Sequence, residues 1–201
     1  DSRFGTVYYT GLMTFASVPG GTFTMTNTVD FEEYIGGVVY REIGNSWSKE
    51  ALRAQAVAAR SYAAMFLALG RTGYDIRDTT SDQVYGGYTE GIAPNSYAAA
   101  RDTRGQVLQY GGQTIYGFYS SSNGGYTERA STAAGGSMGA DKQYYAAQYD
   151  PYDAACGKER VYTLPKGANG AAMTAHDRSP VFYENIAKKI GAQYNIANID
   201  K

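Results

Sequence analysis

The chain has 201 residues, 43% of them apolar, which is enough for one core of ordinary size and excludes both a small stapled scaffold and a disordered chain. Eighteen lysines and arginines nearly balance nineteen aspartates and glutamates, and a net charge of −1 supplies no field to draw the protein to nucleic acid or to anionic lipid. One cysteine, Cys156, and one histidine, His176, are too few for an internal disulfide or a usual zinc cage, and no apolar run reaches the roughly 18 residues of a membrane span.

Residues 3–18 and 22–29 are rich in threonine, tyrosine and other strand formers, and Pro19-Gly20-Gly21 between them predicts a hairpin turn. Asp30 followed by Glu33 has the spacing of a capping box, which starts a helix running to about Ile43, where Gly44-Asn45 stops it. Phe31, Tyr34, Ile35, Val38, Val39 and Ile43 recur on that helix at three- and four-residue steps. Glu42 falls three and four residues after the two valines, so a carboxylate stands where the pattern calls for an apolar side chain. Desolvation and the negative end of the helix dipole both disfavour a charge there, which is how an acid is kept protonated for donation to a leaving group. Glu42 therefore reads as a general acid; the other reading is a core carboxylate paired with an arginine.

A second helix begins near Ser46 to Ser48 and runs through KEALRAQAVAARSYAAMFLAL to Gly70. It is alanine-rich nearly all round, as suits a central helix packed closely on several sides. Gln55 and Arg60 are the polar exceptions in its middle, and a buried Arg60 needs a partner: Glu42, a bound ligand, or a carboxylate elsewhere. The stretch TGYDIRDTTSDQVYGGYTEG has little helical period and many turn formers, which predicts a long loop lining the surface. Pro94 and Gly105 frame a short helix over Ala93 to Arg104. QVLQY and QTIYGFYS flank Gly111-Gly112, a two-residue hairpin signal. That hairpin delivers Ser120, Ser121 and Ser122 with Asn123-Gly124-Gly125, either a hydroxyl-rich binding edge or a turn. His176 lies in a sparse Gly/Ala segment that gives little support to a serine triad, and Ser179-Pro180 opens a terminal amphipathic helix.

Twenty tyrosines against 18% charged residues suit stacking on sugar rings, although tyrosine also fills half-buried strands. No P-loop and no dinucleotide fingerprint occurs.

The order FEEYIGGVVYREI, SWSKEALRAQAVAARSYA, DTTSDQVYGG, TRGQVLQYGGQTIYGFYSSSNGGYTE and YDPYD resembles the stage II sporulation protein D family (SpoIID/LytB), most strongly over residues 29–153. The resemblance implies a single SpoIID-like domain over residues 1–201, with residues 154–201 a C-terminal extension carrying one helix. It also implies a protein outside the cytoplasm that acts on the glycan strands of peptidoglycan, together with other cell-wall hydrolases. The family's enzymatic members are lytic transglycosylases that favour strands stripped of stem peptides, and its amidase-enhancer side implies the alternative of a noncatalytic glycan-binding module.

Glu42 matches the family's catalytic glutamate; Arg60 matches the arginine of the AQAVAAR block, and Gln83 and Tyr85 match the QVY block. Arg60, Gln83, Tyr85, Ser120, Ser121 and Ser122 are the expected sugar contacts. Members of the family can carry His-Cys before QVY and a histidine before the serine cluster, where this chain has Ser81-Asp82 and Tyr119. Hydroxyl and carboxylate do not replace imidazole and thiolate for zinc, so no metal and no cofactor is expected, and polar loop contacts are expected to hold the site. Asp75, Asp78, Asp82 and Glu128 remain as partners for a hydrolytic route. The expected fold is α+β: the alanine-rich helix and the Glu42 helix packed with antiparallel strands, with long loops lining a cleft. Any membrane anchor is expected outside these residues.

Overall fold

The computed structural model describes residues 3–123, 125–129, 143–156, 160–164 and 173–177. The fold is α+β, three principal helices with small antiparallel two-stranded sheets. The chain divides into two compact units, Asp1–Tyr119 and Ser120–Lys201.

In the first unit, β1 (Leu12–Val18) and β2 (Thr22–Thr28) form a hairpin in the register Leu12↔Thr28 to Val18↔Thr22. Gly20 and Gly21, at φ of 96° and 76°, make a turn that a β-carbon would strain. The first strand is shorter than its composition suggests. Residues 3–11 serve the long loop instead: Tyr88 donates its N–H to the Tyr8 carbonyl at 2.7 Å, and Arg3 pairs with Asp78 at 2.6 Å. Phe15 and Phe23 meet edge to face, yet both stay exposed, so the core is built mainly elsewhere.

Helix α1 (Phe31–Ile43) starts at Asp30, whose side chain accepts from the backbone N–H groups of Glu32 and Glu33, and ends at Gly44, φ 81°. Its residues from Tyr34 to Val39 are buried without interruption, so the helix is enclosed on all sides rather than on one stripe. Gly36 and Gly37 make this possible. A β-carbon on Gly36 would lie 2.7 Å from the Tyr97 ring, and one on Gly37 2.7 Å from the Tyr85 ring. Helix α2 (Lys49–Ala68) is capped by the Ser48 hydroxyl, which accepts from the Ala51 N–H. Helix α3 (Pro94–Asp102) starts with proline at its first position. The three helices pack on one another in every pairing. Ile35, Val38, Val39 and Leu52 are fully enclosed between them, each worth roughly 1.5–3 kcal/mol of transfer free energy.

The segment between α2 and α3 has turns only, as its composition predicts, but it does not merely line the surface. Gln83, Tyr85, Gly86 and Gly87 are buried, and Tyr85 joins the helical core. Strands β3 (Gln109–Tyr110) and β4 (Gln113–Thr114) close on Gly111-Gly112, both at positive φ, the signature of a tight hairpin. After β4 the chain runs along α2, where Gly117 lies so close to the Ala58 backbone that no β-carbon would fit. That path brings Tyr119 in over the middle of α2.

The second unit contains α4 (Pro151–Cys156) and the hairpin β5 (Arg160–Leu164) with β6 (Met173–Asp177), in which His176 pairs with Val161. The terminal helix predicted after Ser179-Pro180 lies outside the described residues.

Candidate active site

Glu42 sits in the last turn of α1, half-buried, one turn beyond the fully enclosed Val38 and Val39. Tyr34, Val38 and Glu42 follow one another at four-residue steps, so they share a ridge of the helix. A carboxylate at a helix C-terminus meets the negative end of the dipole and needs donors from outside the helix. One is the Val84 N–H, which donates to Oε1 at 3.1 Å.

Gln83, next to Val84, is 1% exposed and joins three elements. Its Oε1 accepts from the Tyr34 hydroxyl on α1 at 3.2 Å. Its Nε2 donates to the Ala59 carbonyl on α2 at 3.1 Å and to the Tyr119 hydroxyl at 3.0 Å. Burial holds the Tyr34 and Tyr119 phenols well above their usual ionisation range, and for Tyr119 the Glu42 charge adds to burial. Both therefore remain neutral hydroxyls across the working range of an enzyme.

Tyr85, 5% exposed, packs its ring 5.0 Å from that of Tyr34 and against Gly37. Burial raises its phenol too, and its hydroxyl has no hydrogen-bond partner among the described residues. Gln83 and Tyr85, expected from the resemblance as sugar contacts, are both interior. Tyr34 was legible only as an apolar position, although its step of eight from Glu42 was the available signal.

Arg60 is placed otherwise. It is 1% exposed, and its guanidinium grips Glu32 twice, through Nη2 at 2.6 Å and Nε at 3.1 Å. The remaining donors reach the carbonyls of Ala100 and Gln106 and the Thr103 hydroxyl. The partner is thus the carboxylate elsewhere rather than Glu42, and Arg60 ties α1, α2 and the end of α3 together.

Asp82 shows what polar residues do ahead of QVY. Its side chain, 4% exposed, pairs with Arg71 at 2.6 Å and accepts from the Arg77 N–H at 2.8 Å. Burial pushes this carboxyl up, but the two arginines and the backbone donor outweigh burial and hold it below the ordinary carboxylate range. Arg71 also lies over the Phe66 ring at 4.4 Å, so the start of the loop, its middle and α2 are clasped by one pair. Asp78 is engaged by Arg3.

The serines belong to the second unit. Ser122 donates to Asp153 Oδ2 at 2.8 Å, the Asn123 N–H donates to the same oxygen at 2.7 Å, and Ser120 donates to the Ser122 carbonyl at 3.2 Å. The cluster is an ordered turn wrapped on Asp153, with Ser120 and Ser121 exposed. Asp150, at the start of α4, accepts from the N–H groups of Tyr152 and Asp153 and from the Asn123 amide. YDPYD is thereby a capping device that also anchors the serine turn.

Residues 19–110 match the family model described as stage II sporulation protein (SpoIID). The chain is 50% identical over 92 residues to the amidase enhancer of Bacillus subtilis strain 168, which covers 46% of this chain and 12% of that protein. It is 34% identical over 134 residues to an uncharacterized protein of Brachyspira hyodysenteriae, covering 65% of this chain and 35% of that one. It is 31% identical over 118 residues to stage II sporulation protein D of Bacillus amyloliquefaciens, covering 51% and 34%. The chain thus spans an eighth to about a third of the length of these relatives.

Proposed function

We propose that the protein is a lytic transglycosylase of peptidoglycan, cleaving between N-acetylmuramic acid and N-acetylglucosamine in glycan strands stripped of stem peptides. The observation that carries this is the Glu42 carboxyl itself, half-buried at a helix end with the Val84 N–H of the loop donating to it. Glu42 in its acid form gives its proton to the glycosidic oxygen as the C1–O bond breaks and positive charge gathers on the muramoyl ring. The carboxylate so formed takes the proton from the muramoyl C6 hydroxyl, whose oxygen bonds to C1 and closes a 1,6-anhydro ring. No water is consumed and Glu42 ends protonated, ready for another cycle. One carboxyl is enough for this route, and the pairing of Asp78 and Asp82 with arginines favours it over a two-carboxylate hydrolysis. Gln83 and Arg60 support the site from within, while sugar contacts are proposed for the exposed Ser120 and Ser121. The place of work is the wall, outside the cytoplasm; among the described residues no helix is long and apolar enough to cross a membrane.

Purified protein incubated with stripped strands should release products ending in 1,6-anhydro rings, read by mass spectrometry, and Glu42→Gln should release none. Products carrying the oxygen of water would make it a hydrolase. The similarity to an amidase enhancer favours a second reading, a glycan-binding module that brings an amidase to the wall. That reading predicts saturable strand binding with no product from either variant.

A further inference from the structure

Arg41 stands directly before Glu42 in the last turn of α1, half-buried, and its charge is left unanswered by the fold. Arg60 and Arg71 each hold a carboxylate, whereas Arg41 forms no ion pair among the described residues. Its Nε is buried with no hydrogen-bond partner, and its Nη2 makes one long bond, to the Gly86 carbonyl at 3.4 Å. A cation at this end of a helix complements the dipole, but that needs only a charge near the axis and leaves the unpartnered donor unexplained. The guanidinium is nevertheless held in place. The Phe4 ring centroid lies 4.0 Å from Cζ and that of Tyr40 5.3 Å. Gly86 adjoins it so closely that a β-carbon there would lie 2.7 Å from Cζ and Nη2 and push the group from its seat. A seated, partly desolvated guanidinium with underused donors suits an anion, and its planar fork matches a carboxylate.

Its position says which carboxylate. The Val84 N–H donates to Glu42 and the Gly86 carbonyl accepts from Arg41, so one stretch of loop, at most about 7 Å long, fixes both side chains. That is the scale of one sugar ring with its substituent. A muramoyl ring carries a lactyl ether on C3, and once the stem peptide is removed that group ends in a free carboxylate. In a peptide-bearing strand the same carbon belongs to a neutral amide. We infer that Arg41 is a specificity residue, binding the lactyl carboxylate of a stripped muramoyl residue while Glu42 meets the glycosidic oxygen of the same ring. With Glu42 read as the catalytic carboxyl, on which this rests, Arg41 gives the preference for stripped strands a physical cause. The carboxylate offers two charged acceptors to the fork, where the amide offers one neutral oxygen.

Binding is measured in the Glu42→Gln protein, which leaves strands uncut, by fluorescence anisotropy of three end-labelled substrates. These are stripped strands, stripped strands whose lactyl carboxylates are converted to methylamides, and strands bearing stem peptides. The stripped strands should bind about tenfold or more tighter than either of the others. Adding Arg41→Gln should abolish that preference by weakening the stripped strands alone. Gly86→Ala keeps the guanidinium but displaces it, and should lessen the preference; it decides the matter if melting shows Arg41→Gln unfolded. Equal affinity for all three substrates, or no binding of any, would overturn the assignment. So would equal weakening on all three by Arg41→Gln, which is a structural effect, and peptide-bearing strands bound as tightly as stripped ones, which would place the carboxylate on the peptide. If the wild type releases no anhydro products, the transglycosylase reading falls, while the binding preference still decides whether Arg41 reads the carboxylate.

Discussion

Arg60 and Glu42 are two charged residues on neighbouring helices whose roles separate on burial and partners. Arg60 spends its donors inside the fold, and the energetic consequence is large because its partner Glu32 is itself only 13% exposed. Arg60→Met should cost about 3 kcal/mol or more in urea unfolding, since it leaves a shielded carboxylate unpaired. Adding Glu32→Leu should recover much of that loss, for then no uncompensated charge remains. An Arg60→Met midpoint equal to that of the wild type would show that the clasp between the helices is idle. Glu42→Gln, by contrast, is nearly isosteric and touches one half-buried carboxyl, so it should leave stability almost unchanged while removing the anhydro products.

Elements carry the next level of argument, and α1 is the clearest case. Its boundaries, its cap at Asp30 and the place of Glu42 in its last turn were legible from spacing alone, because capping and periodicity are local. The uninterrupted burial from Tyr34 to Val39 was not, since it depends on rings arriving from residues 85 and 97. Helix propensity alone would make Gly37→Ala stabilising by about 1 kcal/mol. With the Tyr85 ring only 2.7 Å from the added carbon, the substitution should instead destabilise by about 1–3 kcal/mol in thermal or urea unfolding.

The loop between α2 and α3 gives a prediction of a different kind. Asp82 has a carboxyl held below its ordinary range, so it adds stability that is present above about pH 4 and disappears as pH falls through the folded-state value. Asp82→Asn should therefore lower the unfolding midpoint at pH 7, and the gap to the wild type should close as pH falls below the ordinary carboxylate range. A gap that stayed constant with pH would assign the effect to packing rather than to the pair with Arg71.

For the whole molecule, the near balance of charge leaves recognition to local chemistry, and the two proposed readings part on whether Glu42 turns over. Strand binding retained in Glu42→Gln with loss of cleavage is the outcome that joins the binding and enzymatic readings, and it is measured by co-sedimentation beside product analysis. By itself the sequence determined the order of the first two hairpins and the three principal helices, the α+β class, and the anomaly at Glu42, because caps, turns and hydrophobic period act over a few residues. Only the tertiary structure decided that Arg60 answers Glu32, that Gln83 and Tyr85 lie inside, and that Tyr119 meets Gln83. Those contacts join residues 28 to 49 positions apart, and their pairing depends on how helices and loops pack, which no local pattern encodes.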